Sequence, residues 1–194
     1  PALASPNREL RVEAIVLCGL WKLNAHTPAI LRIMGDRKEA TAVRVAAAEA
    51  VGALSSPALA NKLAGLATQG QKPSLRQAAL ASLARHDAAR AAERAAALLS
   101  ATSPAELGPV LAALLQRSDG AKALAGALTK TKISADTAKL ARRWLNAAGR
   151  NEPALAVVLD KLIGVQGATA TYSPAYVAAL EKEAVARGDA ARGR

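Results

Sequence analysis

Phenylalanine is absent from the 194 residues, and the aromatic side chains are confined to Trp21, Trp144, Tyr172 and Tyr176. A core must then be assembled from Ala, Leu and Val, which lets helix axes approach closely. So few rings, so scattered, also argue against chemistry that needs bases stacked on aromatic side chains. The one cysteine, Cys18, cannot close an internal disulfide. The two histidines, His26 and His86, lie far apart, each near an expected hairpin turn, with no Cys, His or carboxylate at metal-ligand spacing. No Gly-rich phosphate loop, nucleophile elbow or HExxH pattern occurs. Strand-type alternation is missing, and no apolar run is long enough to span a membrane.

What is present is alanine, about a quarter of the chain, within a composition that is 52% hydrophobic. Alanine is the best helix former, so the chain reads as all-α. Acidic residues are the minority: 26 Lys and Arg stand against 15 Asp and Glu, a formal charge of +11. The excess is spread evenly, with 13 basic and 7 acidic residues up to position 100 and 13 and 8 beyond it. Such a balance favours acidic partners in general, whether nucleic acid, an anionic surface or an acidic protein.

Three stretches read almost alike. Leu10-Arg11-Val12-Glu13-Ala14 is followed by Val43-Arg44-Val45-Ala46-Ala47 and by Leu75-Arg76-Gln77-Ala78-Ala79. Each places an aliphatic residue before an arginine and an alanine three residues after it. The recurrence of Arg11, Arg44 and Arg76 about every 32–33 residues has the period of stacked helical hairpins. Ala14, Ala47 and Ala79 are expected to be buried where paired helices cross. The arginines are expected to form a ladder, each bonding to a helix end or turn of the next hairpin.

Helix starts are marked by Ser5-Pro6, Thr27-Pro28, Ser56-Pro57, Ser103-Pro104 and Ser173-Pro174, a hydroxyl cap before a first-turn proline. Ser74 with Gln77 and Ser103 with Glu106 fit a capping box. Gly35, Gly70, Gly149 and the stretch from Gly164 to Gly167 mark stops. These signals predict helices near 7–24, 28–34, 38–54, 57–68, 74–85, 87–99, 104–116, 119–128, 134–148, 152–163 and 174–187. Residues 1–163 read as a helical repeat domain. Residues 164–194 read as a loop, a terminal helix and the start of a linker. The opening on Pro1 without a leader pattern is read as a piece of a longer protein.

One charged constellation stands out. Lys139, Arg142, Arg143 and Asn146 fall at helical spacing on one face, Lys130 and Lys132 precede them, and Arg150 follows. Lys130, Lys132, Lys139, Arg142, Arg143 and Arg150 are the candidate partner-binding face. Cys18, beside Leu17 at an apolar helical position, reads as a buried thiol. No catalytic, cofactor-binding or metal-ligating residues are assigned.

The frame Leu10-Arg11-x-x-Ala14, Val43-Arg44-x-x-Ala47 with Gly52 and Leu54, and Leu75-Arg76-x-x-Ala79 resembles the HEAT repeat. The aspartate that usually precedes the Val-Arg pair of that repeat is missing from all three. The resemblance implies a HEAT-like α-solenoid, a right-handed superhelix of antiparallel helical hairpins. Ile133 to Leu140, Ala148 to Leu155 and Ala186 to Gly193 further resemble the segment upstream of the cytochrome c domain in PVC-type haem-binding proteins. That family joins a dehydrogenase-like propeller to HEAT repeats and then to a CxxCH haem domain. The resemblance implies an extracytoplasmic, periplasmic-type location and a non-catalytic scaffold that spaces a dehydrogenase-like domain from a cytochrome. The expected partners are neighbouring domains of its own parent chain or an acidic protein. Haem c is expected only in the domain beyond Arg194, because a single cysteine cannot supply two thioethers. The alternative is a nucleic-acid-binding protein resembling the HEAT-like alkylpurine DNA glycosylases. A HEAT-like phycobilin lyase is a third class, for which the chain carries no supporting cluster.

Overall fold

The structure, a computed structural model, describes residues 2–54, 58–101, 103–164 and 174–187. The expected start at Ser56-Pro57, the loop beyond Gly164 and the Gly188-Asp189 linker stretch lie outside the described residues. Among those described there are eleven α-helices and no strand. They are α1 (Arg8–Leu20), α2 (Thr27–Gly35), α3 (Thr41–Ala53), α4 (Ala58–Leu66), α5 (Pro73–His86) and α6 (Ala88–Leu99). After them come α7 (Pro104–Leu115), α8 (Gly120–Leu128), α9 (Ala135–Ala147), α10 (Pro153–Ile163) and α11 (Pro174–Arg187).

Most boundaries fall within three residues of those expected. The exception is α1, which stops at Leu20 rather than at 24. Lys22 adopts a left-handed φ of 52° there. Its N–H donates to Gly19 O at 3.1 Å and the Leu23 N–H donates to Cys18 O at 2.9 Å. This double closure satisfies carbonyls that would otherwise be orphaned at the helix end. Gly149, at φ 63°, closes α9 in the same way, with Gly149 and Arg150 donating to Asn146 and Leu145. Gly164, at φ 82°, ends α10. Gly35 does not act as a left-handed stop; it is the last residue of α2.

Four cap readings need correction. Thr27 lies inside α2, whose cap position is His26, and its hydroxyl donates to Asn24 O at 2.8 Å. The cap of α1 is Asn7, not Ser5; the Asn7 side chain accepts from the N–H groups of Glu9 and Leu10, while Ser5 Oγ accepts from Asn7 N–H. Ser74 lies inside α5, whose cap is Lys72, so it forms no capping box. Ser103 holds the cap position of α7, but its hydroxyl makes no cap bond, and the Glu106 side chain pairs with Arg76 instead of completing a capping box. Asp87 and Ser134 cap α6 and α9 through their side chains.

Residues Pro1–Gly164 form one compact unit. Within it the odd-numbered helices stack in succession, α1 on α3, α3 on α5, α5 on α7 and α7 on α9. The even-numbered helices pack against this row, and α6, α8 and α10 also pack in series. A continuous core runs through the unit, with Ile15, Val43, Leu63, Leu83, Leu99, Leu114, Leu145 and Leu159 all buried. Alanines fill the crossings, among them Ala47, Ala48, Ala79, Ala92 and Ala96. Val165–Arg194 is the second unit and carries α11, whose Leu180 and Val185 are exposed.

Candidate interaction surface

Each frame arginine reaches forward to the next hairpin. Arg11 makes a two-pronged pair with Glu39, at 3.0 and 2.6 Å. Arg44 donates from Nε to Met34 O at 3.0 Å and makes a long 3.5 Å bond to Gln71. Arg76 donates to Gln69 at 3.1 Å and to Glu106 at 2.6 Å. Glu39 and Gln71 each stand four residues before the next aliphatic-arginine pair, Val43-Arg44 and Leu75-Arg76. They supply the acceptors in place of the missing aspartate. Glu106 holds the same register before Val110, where Leu111 replaces the arginine and no further rung can form.

Arg44 and Arg76 are buried, so these bonds are obligatory rather than decorative. Arg44 has no carboxylate among its bonding partners in the described residues. Its partner Met34 O lies in the last turn of α2, where the carbonyl ends and the negative pole of the helix dipole favour a cation. Arg11 is only half-buried, and its Nε finds no partner among the described residues.

Ala47 and Ala79 are wholly buried, but Ala14 is only half-buried, which corrects the expectation for the first frame. A second repeated feature was not read from the sequence as a crossing. A Cβ on Gly19 would stand 2.8 Å from Ala50 Cα, and one on Gly52 would stand 2.5 Å from Ser82 Oγ. Both glycines lie eight residues after a frame arginine. Their partners, Ala50 and Ser82, lie six after the next one. That shared register was the available signal. Gly108 of α7 similarly clears space for Trp144 of α9, where an added Cβ would lie 2.6 Å from the indole nitrogen. His86, the last residue of α5, sits 3.0 Å from Val51 O and bonds through Nε2 to the end of α3.

The six cations of the expected partner-binding face divide. Arg142 turns to α10, pairing with Asp160 at 3.1 Å and bonding Asn146 on its own helix. Arg150 donates to Leu115 O at 2.5 Å, closing the end of α7, and to Glu152 at 3.0 Å. These two arginines fasten helices together. Lys139 is exposed and pairs with Asp136 at 3.2 Å. Lys130, Lys132 and Arg143 are exposed and make no hydrogen bond or ion pair with another described residue. Of these six, the cations left without a partner among the described residues are those at the α8–α9 turn and Arg143 on α9.

Between α9 and α10 lies an open cleft of about 330 Å³, lined by Arg142, Asn146, Arg150, Asn151 and Glu152. Its arginines are already engaged by Asp160 and Glu152, so the cleft carries little unspent charge. Among the described residues no group of three or more His, Cys, Asp or Glu side chains is placed to hold a metal ion. Cys18 is buried, and burial raises its thiol pKa. No helix among the described residues is long and apolar enough to cross a membrane.

Serial stacking, a forward arginine ladder and small-residue crossings define an all-α HEAT-like helical-repeat solenoid. Residues 1–84 match the family of HEAT repeats and form a HEAT-repeat region. No curated protein matches the chain.

Proposed function

We propose that the chain is a non-catalytic scaffold whose α8–α9 edge docks an acidic partner. The observation that carries this reading is the survival of Lys130, Lys132 and Arg143 as exposed cations while their neighbours are neutralised internally. Helical-repeat stacks commonly present extended surfaces for binding. By its resemblance to PVC-type haem-binding proteins, the solenoid spaces a dehydrogenase-like domain from a cytochrome c domain in a periplasmic redox protein. The acidic partner is then that neighbouring domain, and haem belongs to it rather than to these residues.

The test is a binding titration between this chain and the domain encoded downstream of Arg194, at low and moderate salt. Triple reversal of Lys130, Lys132 and Arg143 to glutamate is expected to slow association and remove the salt dependence. Binding indifferent to both changes overturns the docking edge. A downstream reading frame without CxxCH overturns the redox assignment. A salt-dependent shift of duplex DNA that the same reversals abolish transfers the edge to nucleic acid, the class favoured by the +11 charge.

A further inference from the structure

The row of even-numbered helices is not evenly closed. α6, α8 and α10 pack in series, whereas α2 packs on α3 and α4 on α5 with no comparable contact between α2 and α4. An open groove of about 450 Å³ lies between these two helices. Leu31, Met34 and Leu66 give it an apolar lining, with Met34 buried and the leucines half-buried. Arg32 lines it from α2 and Lys62 from α4. Both cations are exposed, and neither has a hydrogen-bond or ion-pair partner among the described residues. No described carboxylate lines the groove. Asp36, just past α2, accepts from the Lys38 N–H and is followed by exposed Arg37 and Lys38. Asn61, the remaining polar lining residue, accepts from Arg90 of α6.

Two glycines line the same groove, Gly35 at the end of α2 and Gly65 in the last turn of α4. Neither has a positive φ, so neither closes a turn. Neither meets a neighbour within 4 Å of an added Cβ, so neither permits a helix crossing as Gly19 and Gly52 do. Glycine is disfavoured in a helix relative to alanine. What the two positions share is a groove left clear of side chains. Gly126 is similarly open in a groove between α6 and α8, but Glu93 and Lys130 both line that one, so its charge is mixed. We propose that the α2–α4 groove docks an acidic amphipathic helix of a partner protein. Such a helix is anchored by apolar side chains at i and i+3 or i+4. Here they seat on Leu31, Met34 and Leu66, and the bare glycines let the incoming backbone approach closely. Carboxylates flanking those anchors meet Arg32 and Lys62. Unpaired cations beside an apolar lining favour an acidic segment and reject a basic one. The site is separate from the α8–α9 edge and does not rest on it.

The test is selection on the 194-residue chain from a displayed library of helical peptides about 16 residues long, randomised over Ala, Leu, Ile, Phe, Asp, Glu and Lys. Enriched peptides are expected to carry apolar residues at i and i+3 or i+4 and an excess of Asp and Glu. The best of them, made synthetically and labelled, is then titrated against variants by fluorescence anisotropy. Gly65→Met fills the groove and should weaken binding ~10-fold or more, while the melting midpoint holds or rises. Arg32→Glu with Lys62→Glu should weaken it by a similar factor. A peptide with its carboxylates changed to lysine should then bind the doubly reversed chain better than the parent chain. That exchange places the peptide between the two cations. Reversal of Lys130, Lys132 and Arg143 should leave the affinity unchanged. A library that yields no binder, or binders with an excess of lysine, overturns the proposal. So does a peptide indifferent to Gly65→Met. Binding that falls with Lys130, Lys132 and Arg143 instead belongs to the α8–α9 edge and overturns the groove alone.

Discussion

Gly52 of α3 lies so close to Ser82 of α5 that a Cβ built on it would stand 2.5 Å from the serine hydroxyl oxygen and 2.7 Å from its Cβ. The contact is made by the far repeat, so the glycine sets the helix spacing rather than a turn. In an open helical position Gly→Ala stabilises by about 0.5–1 kcal/mol. Gly65, on α4 with nothing within 4 Å of an added Cβ, is such a position. Gly65→Ala should therefore raise the melting midpoint and Gly52→Ala should lower it. Ser82→Gly in the Gly52→Ala background should recover part of the loss, a coupling that urea titrations of the four variants measure. Equal effects of the two glycine changes would show that Gly52 does not set the spacing.

The half-exposure of Ala14 and the full burial of Ala47 predict opposite tolerance at matched frame positions. Ala47→Leu should cost about 1–3 kcal/mol by overpacking. Ala14→Leu should change folding stability by less than about 0.5 kcal/mol, as surface substitutions do. Thermal melts of the two variants, at concentrations where the chain is a single species, decide the matter.

Arg76 is buried and its carboxylate partner Glu106 is partly exposed. Removing the carboxylate strands a buried cation. Glu106→Ala should cost about 2 kcal/mol, below the ~3–5 kcal/mol of a fully enclosed pair. The double change Arg76→Leu with Glu106→Leu should recover most of that loss. Losses that simply add would show that the pair is not coupled.

Arg150 and Arg143 separate fastening from display. Arg150→Ala removes a charged bond to Leu115 O and should cost about 1–3 kcal/mol. Arg143→Ala should leave stability within about 0.5 kcal/mol. Chemical denaturation of each, alongside partner titration, should show Arg143 acting on binding and Arg150 on folding.

The Cys18 thiol gives a pH dependence of known sign. Burial raises its folded pKa above that of the unfolded chain. The folded state then holds the proton more firmly. Its contribution to stability is full below about pH 8.5 and is lost as pH rises through the raised folded value. Cys18→Ala should flatten the alkaline fall of the melting midpoint relative to the parent chain. Alkylation of the native thiol should be slow at pH 7 and fast in denaturant; rapid native labelling would contradict the burial.

The helix order was legible because the chain is alanine-rich and punctuated by proline and glycine. Most ends could therefore be placed from local chemistry alone. The end of α1 was not, because a lysine takes the left-handed position that a glycine usually marks. The recurrence of Arg11, Arg44 and Arg76 was legible, but their acceptors were not. Glu39, Gln71 and Glu106 differ in type and gain meaning only when hairpins stack. The six basic residues were legible as a group by helical spacing. Their division was not, since Asp160 and Leu115 come from other helices. Charge in a sequence is visible before its compensation is.

The forward direction of the arginine ladder has a consequence for how the chain is made. On a ribosome Arg11 emerges 28 residues before Glu39, Arg44 emerges 27 before Gln71, and Arg76 emerges 30 before Glu106. Each arginine must wait for a later turn before its site is complete. Assembly therefore has a built-in lag of one hairpin, and a nascent chain is always one rung short. The lag ends at Leu111, which asks nothing of the hairpin that follows.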